Sequence, residues 1–198
     1  MAIKARIMPN LYLILTQIMS HSPDDLVAIF RKLFFLEYKT VLVRGEGEPV
    51  YLPANGETPA RIEFAHGFYA SALHEISHWF VAGEARRKLE DFGYWYVPDG
   101  RNEQQQQEFF KMEVKPQALE WILSQAAGLS FRPSLDNLGG AAVESHEFKR
   151  NLLNQAHSYL MGDLGERPRK LVAALCAFYD NPWPQPEMFY FEDEFLSS

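Results

Sequence analysis

Cysteine is almost absent from this 198-residue chain: Cys176 is the only one. An intramolecular disulfide and any Cys-rich zinc module are therefore excluded, and a cytoplasmic address is the simplest expectation. Long apolar runs are also missing. The longest stretch near the start, Leu11 to Met19, is interrupted by Thr16 and Gln17 and is too short to span a bilayer, so no membrane partner is expected. Basic residues are in deficit, with 19 Lys and Arg against 26 Asp and Glu and a formal charge of −7. Direct nucleic-acid binding, which needs a basic face to track phosphates, is not expected. Glycine and proline, 12 of each, are near ordinary usage, which argues against a collagen-like or broadly disordered chain. No internal repeat is present. What the chain does have is apolar surface: 47% hydrophobic residues and 14% aromatics are enough for one well-filled core.

The pattern along the chain predicts an α/β protein of the α+β type, a single domain with a small sheet flanked by helices, and not a jelly roll. Residues 1–20 read as an appendage, with Met19 as an alternative start. Ser22-Pro23-Asp24-Asp25 opens a helix whose apolar residues Leu26, Ile29, Phe30, Leu33 and Phe34 share one face. Thr40 to Val43 and Arg61 to Phe64 read as two strands of one sheet, with a Pro/Gly-rich loop between them. A helical pattern runs from Tyr69 to about Asp91, interrupted at Gly83. A Gln-rich helix over 102–111 then leads to Glu113, and Pro116, which suits a first turn, predicts a separate helix from Gln117 to Ala127, stopped by Gly128. Two further helices are expected at 144–161 and 167–179. The domain is expected to span 21–180, with 181–198 an acidic, Pro- and aromatic-containing tail, extended and mobile.

His74-Glu75-Ile76-Ser77-His78 matches H-E-x-x-H, and Leu73, Ile76 and Phe80 supply the apolar spacing of a helix around it. Histidines four apart stand one turn above each other, so both imidazoles can face one ion while Glu75 turns off that face. Imidazole suits zinc, iron, nickel or copper, and two histidines do not choose between them. A third ligand is needed. Among the downstream carboxylates Glu113 is favoured, because it lies between apolar Met112 and Val114 just before the expected Pro116 helix start; Glu120, beside Trp121, is the alternative. His66 is a candidate for the same pocket, whereas His21, His146 and His157 read as structural or solvated.

Four blocks carry a resemblance: Phe64 to Trp79 (FAHGFYASALHEISHW), Ala85 to Arg101 (ARRKLEDFGYWYVPDGR), Glu113 to Trp121 (EVKPQALEW) and Ser134 to Leu138 (SLDNL). In this order they resemble the bacterial elongation factor P hydroxylases, over roughly residues 22–180. The resemblance implies an α/β fold similar to that of a bacterial metal-dependent endoribonuclease. It also implies hydroxylation of the lysine of translation elongation factor P that already carries β-lysine, by a non-haem metal on two histidines and a carboxylate. On this chain those positions are His74, His78 and Glu113.

The residues suit that chemistry. A lysine methylene has no acidic proton, so its hydroxylation needs O₂ and a redox-active metal, most simply Fe(II); zinc cannot serve. A His, His, carboxylate set leaves coordination positions open, as non-haem Fe(II) oxygenases require. The spacing differs from the His-x-Asp of 2-oxoglutarate oxygenases, so 2-oxoglutarate is not implied. Glu75 is the expected catalytic residue, either orienting a ligand or holding a cationic substrate amine. In the alternative reading, a zinc metallopeptidase with the same ligands, it would be the general base. Tyr94 and Trp95 are candidates to face a lysyl ammonium, and Asp99, Arg101, Asp136 and Asn137 lie in turn-like segments where site residues collect.

Overall fold

The computed structural model describes residues 21–91, 103–134 and 142–191. Helix α1, Pro23–Tyr38, starts at Ser22, whose Oγ accepts a hydrogen bond from the Asp24 N–H at 3.3 Å. Pro23 at the first position and Asp24 and Asp25 in the first turn complete a favourable start. Its buried stripe is Leu26, Phe30 and Phe34, four residues apart each time. Strands β1 (Thr40–Arg44), β2 (Val50–Leu52) and β3 (Ala60–Phe64) form one sheet in the order β1-β3-β2. β3 runs parallel to β1 and antiparallel to β2, with Leu42 opposite Ile62 and Tyr51 opposite Ile62 on the other side. The expectation of two strands sharing a sheet holds. β2, only three residues long, lies within the segment read as a loop.

Helix α2, Tyr69–Val81, carries the H-E-x-x-H pattern and lays Ala72, Leu73, Ile76 and Phe80 into the core. It ends ten residues before Asp91, at Val81, and Ala82 is already extended. The sequence pattern was expected to continue; instead the end of the helix is held by side chains from elsewhere. The Arg167 guanidinium donates to the carbonyls of Trp79 (3.1 Å), Phe80 (3.0 Å) and Ala82 (3.3 Å), and Arg87 donates to Ala82 at 2.6 Å. Two cations on the negative end of α2 stabilise that terminus.

Helix α3, Glu103–Ala127, is one continuous helix with Pro116 inside it, not two helices divided there. Proline removes the bond to the Met112 carbonyl and costs about 3 kcal/mol in a helix interior. Burial of Ala118, Leu119, Trp121, Ile122 and Leu123 on the turns that follow outweighs it. α3 packs against α2, α4 (Ala142–Ser158) and α5 (Glu166–Tyr179), which makes it the axis of the helical layer. Gly128, at φ +74°, terminates α3 as expected, and a Cβ there would meet Asn181 Nδ2 at 2.8 Å.

Downstream of Asn181, where composition predicts a mobile tail, Phe189 is buried and packs on Trp121 at 5.0 Å between ring centroids; Phe191 follows at 4.8 Å. The chain to Phe191 is therefore part of the packed body. Among the described residues no helix is long and apolar enough to cross a membrane.

Candidate metal centre

α2 and α3 pack against each other so that polar residues of both meet between them. From α2 come His74 and His78, one turn apart, with Nε2 atoms 3.0 Å from each other. From α3 comes Glu113, only 4% exposed, with Oε1 3.3 Å from His78 Nε2 and Oε2 3.8 Å from His74 Nε2. One donor atom from each of the three residues lies within 4.8 Å of the other two.

These separations suit an ion. Two donors about 2.1 Å from one metal and at right angles around it stand about 3.0 Å apart. The His74–His78 spacing of 3.0 Å is of that size, and Glu113 lies somewhat beyond it at 3.3–3.8 Å. An ion held there would take two imidazoles and one carboxylate from two helices, and its remaining positions would be left to other ligands.

The next ring of contacts also comes from α3. Glu120, whose side chain is 13% exposed, sets Oε2 2.8 Å from His74 Nδ1, the ring nitrogen that faces away from His78. Gln117, fully buried, donates from Nε2 to Glu113 Oε2 at 3.2 Å and to the Ser134 carbonyl at 3.0 Å. Positions 113, 117 and 120 recur at four and three residues, so one face of α3 supplies all three groups.

Charge follows from this packing. Burial alone would lower the His74 pKa, but the hydrogen bond and charge of Glu120, with the charges of Glu113 and Glu75, push it up to about 10. Burial alone would raise Glu113; its hydrogen bond to His78, the charges of both histidines and the Gln117 amide instead bring it down to about 2. For Glu75 burial is the largest influence and raises its pKa, against the lowering charges of His74 and His78.

A cavity of about 350 Å³ opens beside the cluster, with Glu75 and His78 on one wall and Tyr51, Asp91, Met112 and Pro116 around them. Its rim is braced. Arg86 grips Asp91 through two hydrogen bonds of 2.8 and 2.9 Å, and the Asp91 backbone pairs with that of Tyr51 at 2.7 and 3.0 Å.

Of the residues singled out from sequence, His74, His78 and Glu113 come together, and Glu75 reaches the adjoining cavity. His66 is exposed on the turn before α2, with a left-handed φ of 52°, and has no place among the described residues that line the cavity. Tyr94, Trp95, Asp99, Arg101, Asp136 and Asn137 lie outside the described residues. Glu120, the alternative to Glu113, is turned inward by α3 onto the outer nitrogen of His74 and is not one of the three donors that come together. Gln117 and Ser134 were not singled out for the site at all. For Gln117 the available signal was its place four residues after Glu113, on the same face of a helix that runs through Pro116.

Comparison with known proteins adds two findings. The family model described as elongation factor P hydroxylase matches residues 29–189. The elongation factor P lysine hydroxylase of Haemophilus influenzae is 55% identical over 162 residues, covering 81% of this chain and 91% of that protein.

Proposed function

Since the chain belongs to the elongation factor P hydroxylase family, we propose that it hydroxylates the β-lysylated lysine of translation elongation factor P through Fe(II) held by His74, His78 and Glu113. The observation that supports this reading best is the group of two imidazoles and one buried carboxylate brought together by α2 and α3. Bound there, ferrous iron supplies the reduction of O₂ that allows one oxygen to enter an unactivated C–H bond, with electrons from an external donor.

The chain's own groups do the positioning. The cavity beside His78 has room for an extended aliphatic side chain, and the Glu75 carboxyl on its wall suits a terminal ammonium, Asp91 on the same wall being paired with Arg86. Glu75, next to a ligand on α2, holds that amine or orients the neighbouring ligand. Tyr94, Trp95, Asp99 and Arg101 follow Asp91 closely in sequence, and Asp136 and Asn137 follow Ser134, so they enter the reading as substrate contacts. A translation factor as substrate and a single cysteine both fit a cytoplasmic location.

Intact-mass analysis of β-lysylated elongation factor P after aerobic incubation with the iron-loaded protein tests the reading. A gain of one oxygen atom is expected from the iron form and none from the zinc form. Unchanged mass with iron, O₂ and a reductant all present contradicts it.

A further inference from the structure

We propose that Glu120 is a positioning residue, which fixes the ring of His74 so that its Nε2 is presented to the metal. The role rests on the ligand set of the proposed function, and its basis is geometric. Glu120 Oε2 stands 2.8 Å from His74 Nδ1, while His74 Nε2 is the nitrogen that faces His78 and Glu113. Nδ1 and Nε2 lie on different edges of an imidazole. An oxygen that accepts a proton from Nδ1 is on the wrong side of the ring to share an ion with Nε2, so Glu120 is not a fourth ligand.

The hydrogen bond has two consequences. When a metal displaces the proton on Nε2, the one held on Nδ1 stays, and the ring keeps the tautomer whose Nε2 binds metal. The same bond stops the ring from turning about its bond to the backbone side, and the carboxylate charge makes the imidazole a stronger donor. Glu120 can do this because it is rigid itself: its side chain is 13% exposed, and it sits on the same face of α3 as Glu113, seven residues on. One helix therefore delivers both a ligand and the clamp on another ligand. His78 is treated differently. Among the described residues its hydrogen-bonded ring nitrogen is Nε2, and no carboxylate stands at its Nδ1.

The test compares wild type, Glu120→Ala, Glu120→Gln and Glu113→Ala by anaerobic titration with Fe(II) and by NMR of the zinc-loaded proteins. Wild type is expected to show a slowly exchanging Nδ1–H resonance from His74. Glu120→Ala should lose that resonance and bind Fe(II) about 10- to 100-fold more weakly. Glu120→Gln, whose amide oxygen accepts the same bond, should keep the resonance and lose less affinity. Should the alanine variant not fold, the glutamine variant carries the test: loss of its His74 resonance, with metal bound as in wild type, overturns the role. An alanine variant with wild-type affinity and an unchanged resonance overturns it as well. So does an alanine variant that binds no metal beside a Glu113→Ala that binds normally, since Glu120 would then be the ligand. Wild-type protein that takes up no divalent ion overturns the ligand set of the proposed function and this role with it, and is told apart from the other outcomes by needing no variant.

Discussion

Gln117 and Ser134 hold each other in both directions: the Ser134 N–H donates to Gln117 Oε1 at 3.0 Å, and Gln117 Nε2 donates back to the Ser134 carbonyl at 3.0 Å. The same Nε2 also donates to Glu113. One buried amide therefore ties the chain that enters the Ser134 block to a candidate ligand. Gln117→Leu removes all three bonds while filling similar volume, and a loss of about 2 kcal/mol in stability is expected from leaving their partners without them. Urea unfolding checks this; an unchanged midpoint would show that the amide is dispensable.

His74→Ala and His78→Ala are each expected to lose most bound metal and to keep the helical circular dichroism of wild type. The inner face of α2 rests on Leu73, Ile76 and Phe80, not on the histidines, which are about one quarter exposed at 26% and 28% of the side chain. Elemental analysis after metal loading measures the outcome. Metal content equal to wild type in both variants would remove the ligand assignment.

The pH dependence of the metal-free protein has a definite sign. His74 has a folded pKa raised to about 10, so its contribution is complete below the unfolded histidine value of about 6.5 and is lost as pH rises towards 10. Glu113 has a folded pKa lowered to about 2, so its contribution is complete above the unfolded value of about 4.3 and is lost as pH falls towards 2. These two groups together give greatest stability between about pH 4.3 and 6.5. Zinc competes with the proton on His74, so added zinc should stabilise the protein more at pH 8 than at pH 6. Thermal melts across pH with and without zinc read both effects, and a zinc shift larger at pH 6 runs against them.

Legibility in the sequence differs from residue to residue. The two histidines were legible because four-residue spacing on a helix is a local property, and Leu73, Ile76 and Phe80 confirm the helix phase around them. Glu113 was favoured for a reason the structure does not support. There is no helix start at Pro116; Glu113 faces inward because α3 continues through it and packs on α2. The same unbroken helix puts 113, 117 and 120 on one face, so that Glu120, the alternative ligand, meets His74 from the side of Nδ1. Arg167 could not be read at all, since its contacts with Trp79 and Phe80 join residues almost ninety positions apart, with no motif between them. β2 was missed for a similar reason: three residues acquire strand geometry only from β3 and from the Asp91 backbone beside them.

Glu75 separates the hydroxylase from a zinc peptidase built on the same motif. A peptidase uses this carboxylate as general base, works with zinc, needs no O₂ and loses nearly all turnover in Glu75→Gln. A hydroxylase that uses Glu75 to hold the substrate amine should instead show a higher KM for β-lysylated elongation factor P in Glu75→Gln, with a smaller change in kcat. Steady-state kinetics on the iron form, alongside a peptide-cleavage assay of the zinc form under nitrogen, decide between them. Cleavage by the zinc form would sustain the peptidase.

The central claim is that this chain inserts an oxygen atom from O₂ into a modified lysine at the His74, His78 and Glu113 centre. Its most direct test is peptide mapping of β-lysylated elongation factor P incubated with iron-loaded protein and a reductant under isotopically heavy O₂, with His78→Ala run in parallel. The account predicts one heavy oxygen on the modified lysine from the wild-type protein and none from the variant. Oxygen acquired from water, or equal labelling by His78→Ala, would contradict it.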